Sequence, residues 1–262
     1  MAHSLIWLPD VLLAAGLRVA KVDGWENRGR GDVGQIKGVI CHHTAGPKNG
    51  IMPSLNTLIN GRTGLPGPLS QLGLGRDGTY FVIAAGRCNH AGTGSWQGIT
   101  TGNTNFIGIE AENTGLTNDQ PWPEVQMDAY RRGVAAILMK IGQDVKFCAG
   151  HKEYTRRKTD PTFDMDAFRL TVAAIMNGTM TPPVLIPRVT PNGRPTLRRG
   201  ASGKLVKEIQ AKVGVVVDGK FGSNTEAAVR AFQRAEGFTP DGIVGPKTWG
   251  ALDRVAMPVP VS

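Results

Sequence analysis

Phe106-Ile107-Gly108-Ile109-Glu110-Ala111-Glu112 alternates along its whole length, with Ile107, Ile109 and Ala111 on one face and Gly108, Glu110 and Glu112 on the other. Successive side chains of a strand point to opposite sides, so this stretch predicts a strand with one apolar face and two carboxylates sharing the other. On an exposed strand such carboxylates are simply solvated. With Gly108 beside Glu110, the same face can also line a cleft that a substrate approaches closely. Outward from this strand, helix and strand signals alternate. Upstream, Ile36 to His43 has the β-branched content of a buried strand,. Leu55, Leu58 and Ile59, after Pro53-Ser54 and before Gly61, predict a short helix over one face of the sheet,. Arg76-Asp77-Gly78-Thr79 predicts a hairpin turn before a Tyr80 to Ile83 strand,. Downstream, Met127, Tyr130, Val134, Ile137, Leu138 and Ile141 recur at helical spacing and end at Gly142,. A Val145 to Ala149 strand follows, then a helix capped by Asp164 that carries Met165, Phe168, Val172 and Ile175 and stops at Gly178,. This order predicts an α/β fold, a mixed central sheet flanked by helices.

The sequence has 262 residues, enough for one large domain or two unequal ones, and its 30 Lys and Arg against 21 Asp and Glu leave a net charge of +9,. An excess of that sign suits an anionic partner: nucleic acid, a membrane surface or a bacterial wall polymer. The charge is +3 over residues 1–178 and +6 over 179–262, with no aromatic-rich basic motif of the kind nucleic-acid binders carry,. Cys41, Cys88 and Cys148 are odd in number and widely spaced, which points away from a disulfide framework or a thiolate zinc knuckle and toward a reducing compartment,. Ser4 to Gly16 is apolar, but Pro9 and Asp10 interrupt it and no basic residue lies just before it. It reads as mature protein rather than a signal peptide. No run is long enough to span a bilayer, so membrane insertion is not expected.

Chemistry concentrates in Gly150-His151-Lys152-Glu153-Tyr154-Thr155-Arg156-Arg157-Lys158-Thr159-Asp160-Pro161. Imidazole and carboxylate are both first-row metal ligands, and the loop between His151 and Asp160 is long enough to fold back and bring them together. Lys158 would share that space and could stabilise an oxyanion. Taken alone, a run such as Arg156-Arg157-Lys158 favours a solvated basic loop. A third ligand must come from elsewhere. His42 and His43 end the first predicted strand, and only one of them can face a given site. A single strand histidine is by itself more often a core or rim residue than a ligand. His90 and Trp96 lie on a polar loop, where ligand contact and edge packing are both open.

From Thr179 to Pro195 the composition turns to Pro182, Pro183, Pro187, Pro191 and Pro195 without periodicity, an extended linker,. Beyond it Asp218-Gly219-x-x-Gly222-x-x-Thr225 is echoed by Asp241-Gly242-x-x-Gly245-x-x-Thr248,. Each copy is a tight turn leading into a helix. Ser223 with Glu226 predicts a capping box, and Pro246 suits a helix first turn. With a Leu205, Ile209, Val213 helix, this makes a small three-helix unit. The expected organisation is a first domain over 1–178, a linker over 179–195 and a second domain over 196–255.

Three stretches together resemble the zinc-dependent N-acetylmuramoyl-L-alanine amidases, the family shared by phage endolysins, bacterial amidases and animal peptidoglycan recognition proteins. They are Cys41-His42-His43-Thr44-Ala45-Gly46, Ile107-Gly108-Ile109-Glu110, and His151 through Lys158-Thr159-Asp160-Pro161. The C-terminal part resembles the three-helix peptidoglycan-binding domain attached to wall hydrolases, through its Asp-Gly-x-x-Gly turns and Ala231-Phe232-Gln233. The first resemblance implies Zn²⁺ held by His42, His151 and Asp160, Glu110 as general base, Lys158 as oxyanion stabiliser and His90 near the substrate. Glu112, on Glu110's face, is a fallback for the base. Many relatives carry Cys where Asp160 stands. Some carry a Tyr-His pair where this chain has Ser70 and Gln71, so tyrosine assistance is not expected. The implied reaction is hydrolysis of the amide between N-acetylmuramic acid and L-alanine in peptidoglycan. Modular layout and basic tail suggest a phage endolysin made in the host cytoplasm and reaching the wall through a holin or similar route. The alternatives are a bacterial wall-remodelling amidase and a non-catalytic recognition protein, the latter marked by loss of a metal ligand.

Overall fold

The structure is a computed structural model that describes residues 2–179, 194–238 and 240–255. The chain forms two units, 1–183 and 184–262. Most of the Pro-rich linker expected over 179–195 lies outside the described residues.

In the first unit the strands are β1 (Arg18–Lys21), β2 (Gly38–His43), β3 (Gly61–Arg62), β4 (Leu65–Pro66), β5 (Leu72–Leu74), β6 (Thr79–Val82), β7 (Phe106–Ala111) and β8 (Cys148–Gly150). The helices are α1 (Leu8–Ala14), α2 (Leu55–Asn60), α3 (Gly102–Asn105), α4 (Glu124–Lys140), α5 (His151–Tyr154) and α6 (Met165–Met176). Six strands make one sheet in the order β1-β6-β5-β7-β2-β8, parallel throughout except for the β5-β6 hairpin, and β3 with β4 forms a separate two-stranded ribbon. The expected mixed α/β architecture is what the chain adopts. β2 and β7 lie inside the sheet, in register from Gly38 opposite Phe106 to His43 opposite Ala111. Covered on both faces, Val39, Ile40 and Cys41 of β2 form a continuous buried apolar run, as buried parallel strands do, while β7 keeps its alternation,.

The main core lies on the side of Cys41, Ile107, Ile109 and Ala111, where Tyr130, Val134 and Leu138 of α4 and Phe168 and Val172 of α6 pack. Leu5, Leu8 and Leu12 add to it, so the apolar N-terminal stretch is a core helix. A smaller cluster on the other face joins Ile40, Ala91, Phe106, Ala149 and Tyr154.

Two local expectations change. Val145–Phe147 is a 3₁₀ turn, because the Asp144 side chain accepts from the Lys146 N–H at 2.8 Å, and the strand is only Cys148–Gly150. His151 opens a one-turn helix, whose Glu153 carboxylate accepts from the Gly150 N–H at 2.7 Å. The Asp164 cap forms as expected, accepting from Ala167 N–H at 2.8 Å.

The second unit contains α7 (Lys204–Lys212), α8 (Ser223–Ala235) and α9 (Pro246–Leu252) around Val206, Ile209, Phe221, Val229, Val244, Trp249 and Leu252. Its repeat extends beyond the turns. The Gln210 amide donates to Asp218 Oδ1, the Lys220 carbonyl and Thr225 Oγ1, and its oxygen accepts from Gly219 N–H. Gln233 makes the same four bonds to Asp241, Ile243, Thr248 and Gly242. Each buried glutamine thus ties an Asp-Gly turn to the helix that precedes it. The predicted Ser223–Glu226 capping box does not form. The Glu226 carboxylate is drawn instead to Arg230, one turn on, at 2.7 Å, and to Arg199.

Candidate active site

β2, β7 and β8 end at the same edge of the sheet, and their register brings the chemistry there. His42 stands opposite Glu110 across the β2-β7 ladder, and His151 is the first residue after β8. Strand parity sends His42 to the site side, while His43 lies across the sheet with its ring 6.3 Å from that of Trp122. The segment after α5 folds back, its return fixed by a bond from Lys152 N–H to the Asp160 carbonyl at 2.7 Å. His42 Nδ1 is then 3.0 Å from His151 Nδ1 and 3.2 Å from Asp160 Oδ2, and His151 Nδ1 is 3.1 Å from Asp160 Oδ2.

That triangle suits a metal ion. Ligand bonds of about 2.0–2.1 Å in a tetrahedron set ligand atoms about 3.3 Å apart, close to the edges found here. His151 Nε2 faces the Ala91 carbonyl at 3.1 Å. A carbonyl only accepts, so this nitrogen carries the ring proton and Nδ1 turns a lone pair inward toward the carboxylate. Two imidazoles and one carboxylate leave a zinc ion an open position, the pattern of catalytic sites. Among the described residues, these three form the one group of His, Cys, Asp or Glu close enough together to hold a metal.

Burial pushes the His42 imidazole down to about 4, against the upward pull of the Asp160 hydrogen bond. Burial would raise Asp160, but hydrogen bonds from His151 and His42 outweigh it and hold its carboxyl well below the usual range. Glu110 faces the triangle, its Oε1 3.9 Å from His42 Nδ1 and its buried Oε2 without a hydrogen-bond partner. Burial, then the charge of Asp160, pushes it up to about 8, with Lys158 pulling the other way. Lys158 is exposed, and among the described residues its ammonium has no ion-pair partner.

Glu112 is occupied elsewhere. It is 0 % exposed and accepts from Thr44 Oγ1 at 2.7 Å, Ser54 N–H at 2.9 Å and Ser54 Oγ at 2.9 Å, pinning the start of α2 to the ends of β2 and β7. The shared face of Glu110 and Glu112 therefore divides, with one carboxylate at the site and one in the framework. The space over Gly108 is likewise taken. A Cβ there would lie 2.6 Å from Cγ of His90, whose imidazole rests on the glycine, so this position seats a side chain and not a substrate. His90 itself is 7 % exposed, with Nδ1 3.1 Å from His42 Nε2 and Nε2 3.1 Å from the Phe106 carbonyl. No ring nitrogen is left for a substrate contact.

Two supports were hidden in the sequence. The buried Tyr130 hydroxyl accepts from His42 N–H at 2.9 Å and donates to the Ile109 carbonyl at 2.9 Å, splicing α4 into the β2-β7 ladder beside the site. Gln71 Oε1 accepts from Gly108 N–H at 2.8 Å, holding the strand under His90. Tyr130 is one apolar-stripe residue among many, and Gln71 carries no local signal.

Residues 32–163, just over half of the chain, match the N-acetylmuramoyl-L-alanine amidase family. The chain belongs to that family. Residues 202–252 match a family described as a peptidoglycan binding domain. Among curated relatives, an uncharacterised protein of Kitasatospora aureofaciens is 48 % identical over 66 residues, 22 % of this chain and 56 % of its own length. The zinc D-Ala-D-Ala carboxypeptidase of Streptomyces albus G is 40 % identical over 65 residues, 22 % of this chain and 26 % of its own length. The chain thus spans about half, or less, of the curated relatives it matches. Among solved structures, the Escherichia coli N-acetylmuramyl-L-alanine amidase AmiD is 19 % identical, covering 87 % of this chain and 91 % of its own with a TM-score of 0.45. The Clostridium intestinale endolysin LysCS is 15 % identical, covering 60 % and 95 %, with a TM-score of 0.46.

Proposed function

We propose that residues 1–178 of this amidase-family chain are a zinc-dependent N-acetylmuramoyl-L-alanine amidase and that residues 196–255 hold it on peptidoglycan. The reaction is hydrolysis of the amide between the lactyl group of N-acetylmuramic acid and L-alanine of the stem peptide. The observation that carries this reading is the triangle of His42 Nδ1, His151 Nδ1 and Asp160 Oδ2 with Glu110 beside it, its Oε1 3.9 Å from His42 Nδ1 and its buried Oε2 unpartnered. A zinc ion held by those three residues supplies Lewis acidity toward a carbonyl oxygen and acidifies water. Glu110 takes a proton from the attacking water on its carboxylate and delivers it to the departing amide nitrogen, one group serving as base and then acid. Its raised proton affinity suits the second half of that cycle. Lys158, unpaired and near enough to bias Glu110 electrostatically, offsets negative charge on the former carbonyl oxygen,.

The family match of residues 202–252 and the net charge of +6 over 179–262 support attachment to an anionic wall polymer,. The role proposed for this two-unit layout is lytic, in the manner of an endolysin that reaches the wall through a holin or similar route. Digestion of purified wall tests the chemistry. New free amines without new reducing ends are expected, and reducing sugars without amines would refute the amidase assignment.

A further inference from the structure

His42 and His151 meet their metal only if each keeps its ring proton on Nε2, because a proton on Nδ1 would occupy the lone pair that points into the triangle. Two adjacent residues fix both choices. The Ala91 carbonyl, 3.1 Å from His151 Nε2, takes that proton directly. For His42 the instruction passes through one more ring. The Phe106 carbonyl lies 3.1 Å from His90 Nε2 and can only accept, so His90 carries its proton there,. Among the described residues no carboxylate contacts His90, and a neutral imidazole that donates at Nε2 accepts at Nδ1. His42 Nε2, 3.1 Å away, is then the donor, and His42 Nδ1 is left as a lone pair facing His151 and Asp160.

We infer that His90 is a positioning residue for the metal site: it reads the Phe106 carbonyl and sets the tautomer and ring orientation of His42. The surroundings hold it for that task. Asn103 Oδ1 accepts from the N–H groups of both His90, at 2.9 Å, and Ala91, at 2.7 Å, so one side chain fixes the dipeptide that orients both histidines. The ring of His90 lies against Gly108, where any side chain would displace it. The two ring planes cross at 89° with centroids 5.3 Å apart, a separation that fits a nitrogen of one ring meeting a nitrogen of the other end to end.

This inference rests on the zinc reading of the triangle. Its test uses the metal-free full chain and reads zinc affinity by competition with a chromophoric chelator, with thermal unfolding of the metal-free protein as the check on folding. His90→Asn places an acceptor oxygen where Nδ1 stood and keeps the partner of His42. His90→Gln places its amide near the old Nε2, keeping the Phe106 contact and losing the His42 contact. His90→Phe loses both. Zinc affinity is expected to fall about 10–100-fold for Gln and Phe, the usual cost of losing the outer partner of a metal-binding histidine, and to stay within about threefold of the parent for Asn. Equal affinity in all four proteins, with KM raised in the variants, would overturn the inference and return His90 to substrate contact. An equal loss in Asn and Gln would also overturn it, since the acceptor at Nδ1 would then be irrelevant. Parent protein that takes up no zinc would overturn the zinc reading itself, a result distinct from either.

Discussion

Exchange of Glu112 and Glu110 for glutamine should separate framework from chemistry. Glu112 is wholly buried and accepts three hydrogen bonds from Thr44 and Ser54. In Glu112→Gln the amide oxygen can keep the Ser54 N–H, while the NH₂ group faces two hydroxyls that can rotate to accept. The bonds survive in number but lose the ionic acceptor. A hydrogen bond to a charged group contributes about 1.5–3 kcal/mol against about 0.5–1.5 kcal/mol for a neutral one, so three such losses come to about 3–4.5 kcal/mol. For a unit of this size that lowers the unfolding temperature by roughly 6–18 °C, at ~2–4 °C per kcal/mol. Glu110→Gln starts from the opposite situation, because its Oε2 is buried with no partner to lose. Its fold should be as stable as the parent or more so, with zinc retained and turnover lowered by about 10²–10⁴, the worth of a positioned general base. Calorimetry on the full chain, following the transition that shifts on zinc addition, and amine release from purified wall measure the two effects. Parental stability in Glu112→Gln, together with parental turnover in Glu110→Gln, would refute this assignment of the two carboxylates.

Asp160→Ala should lose metal and activity together, and elemental analysis showing full zinc in that variant would remove Asp160 from the ligand set. In chelator-treated protein the stability difference between Glu110→Gln and the parent should depend on pH. A carboxyl whose folded value is raised to about 8 is favoured when protonated, so the parent loses ground as pH rises above the ordinary glutamate range, and the gap should widen from pH 5 to pH 8 and then level,. A gap of constant size in urea titrations would mean that Glu110 is not desolvated. Lys158→Met should keep zinc and lose turnover through missing charge stabilisation, and an unaffected rate would remove it from the reaction. Residues 1–178 alone should match the full chain on a soluble muropeptide and be slower on intact wall, because tethering raises the local concentration of the site. If residues 190–262 stay in the supernatant when mixed with wall at low salt while the truncated enzyme clears wall at full rate, the second unit is not an anchor.

Features that repeat over short distances were legible from the order of residues. Alternation along 106–112 set which residues of β7 face the main core, helical spacing marked α4 and α6, and parity separated His42 from His43 before any partner was visible. The paired Asp-Gly turns of the second unit were legible for the same reason, since each motif is read within a few residues. Tertiary structure alone decided what depends on partners far apart in the chain. Glu110 and Glu112 are equivalent by period, and only the arrival of Ser54, 58 residues away, makes one of them framework. His90 on its loop leaves ligand contact and packing both open, and only the fold shows that its Nδ1 lies 3.1 Å from His42, 48 residues distant. Gln210 carries no local signal, and Gln233 stands out only within the Ala231-Phe232-Gln233 resemblance, because what both satisfy are backbone and side-chain groups of the following turn that become acceptors and donors only once the turn has folded. Periodicity reports which way a side chain points; what it meets there is set by loop closure and burial, which turn an unpaired polar atom into a cost that some distant residue must satisfy.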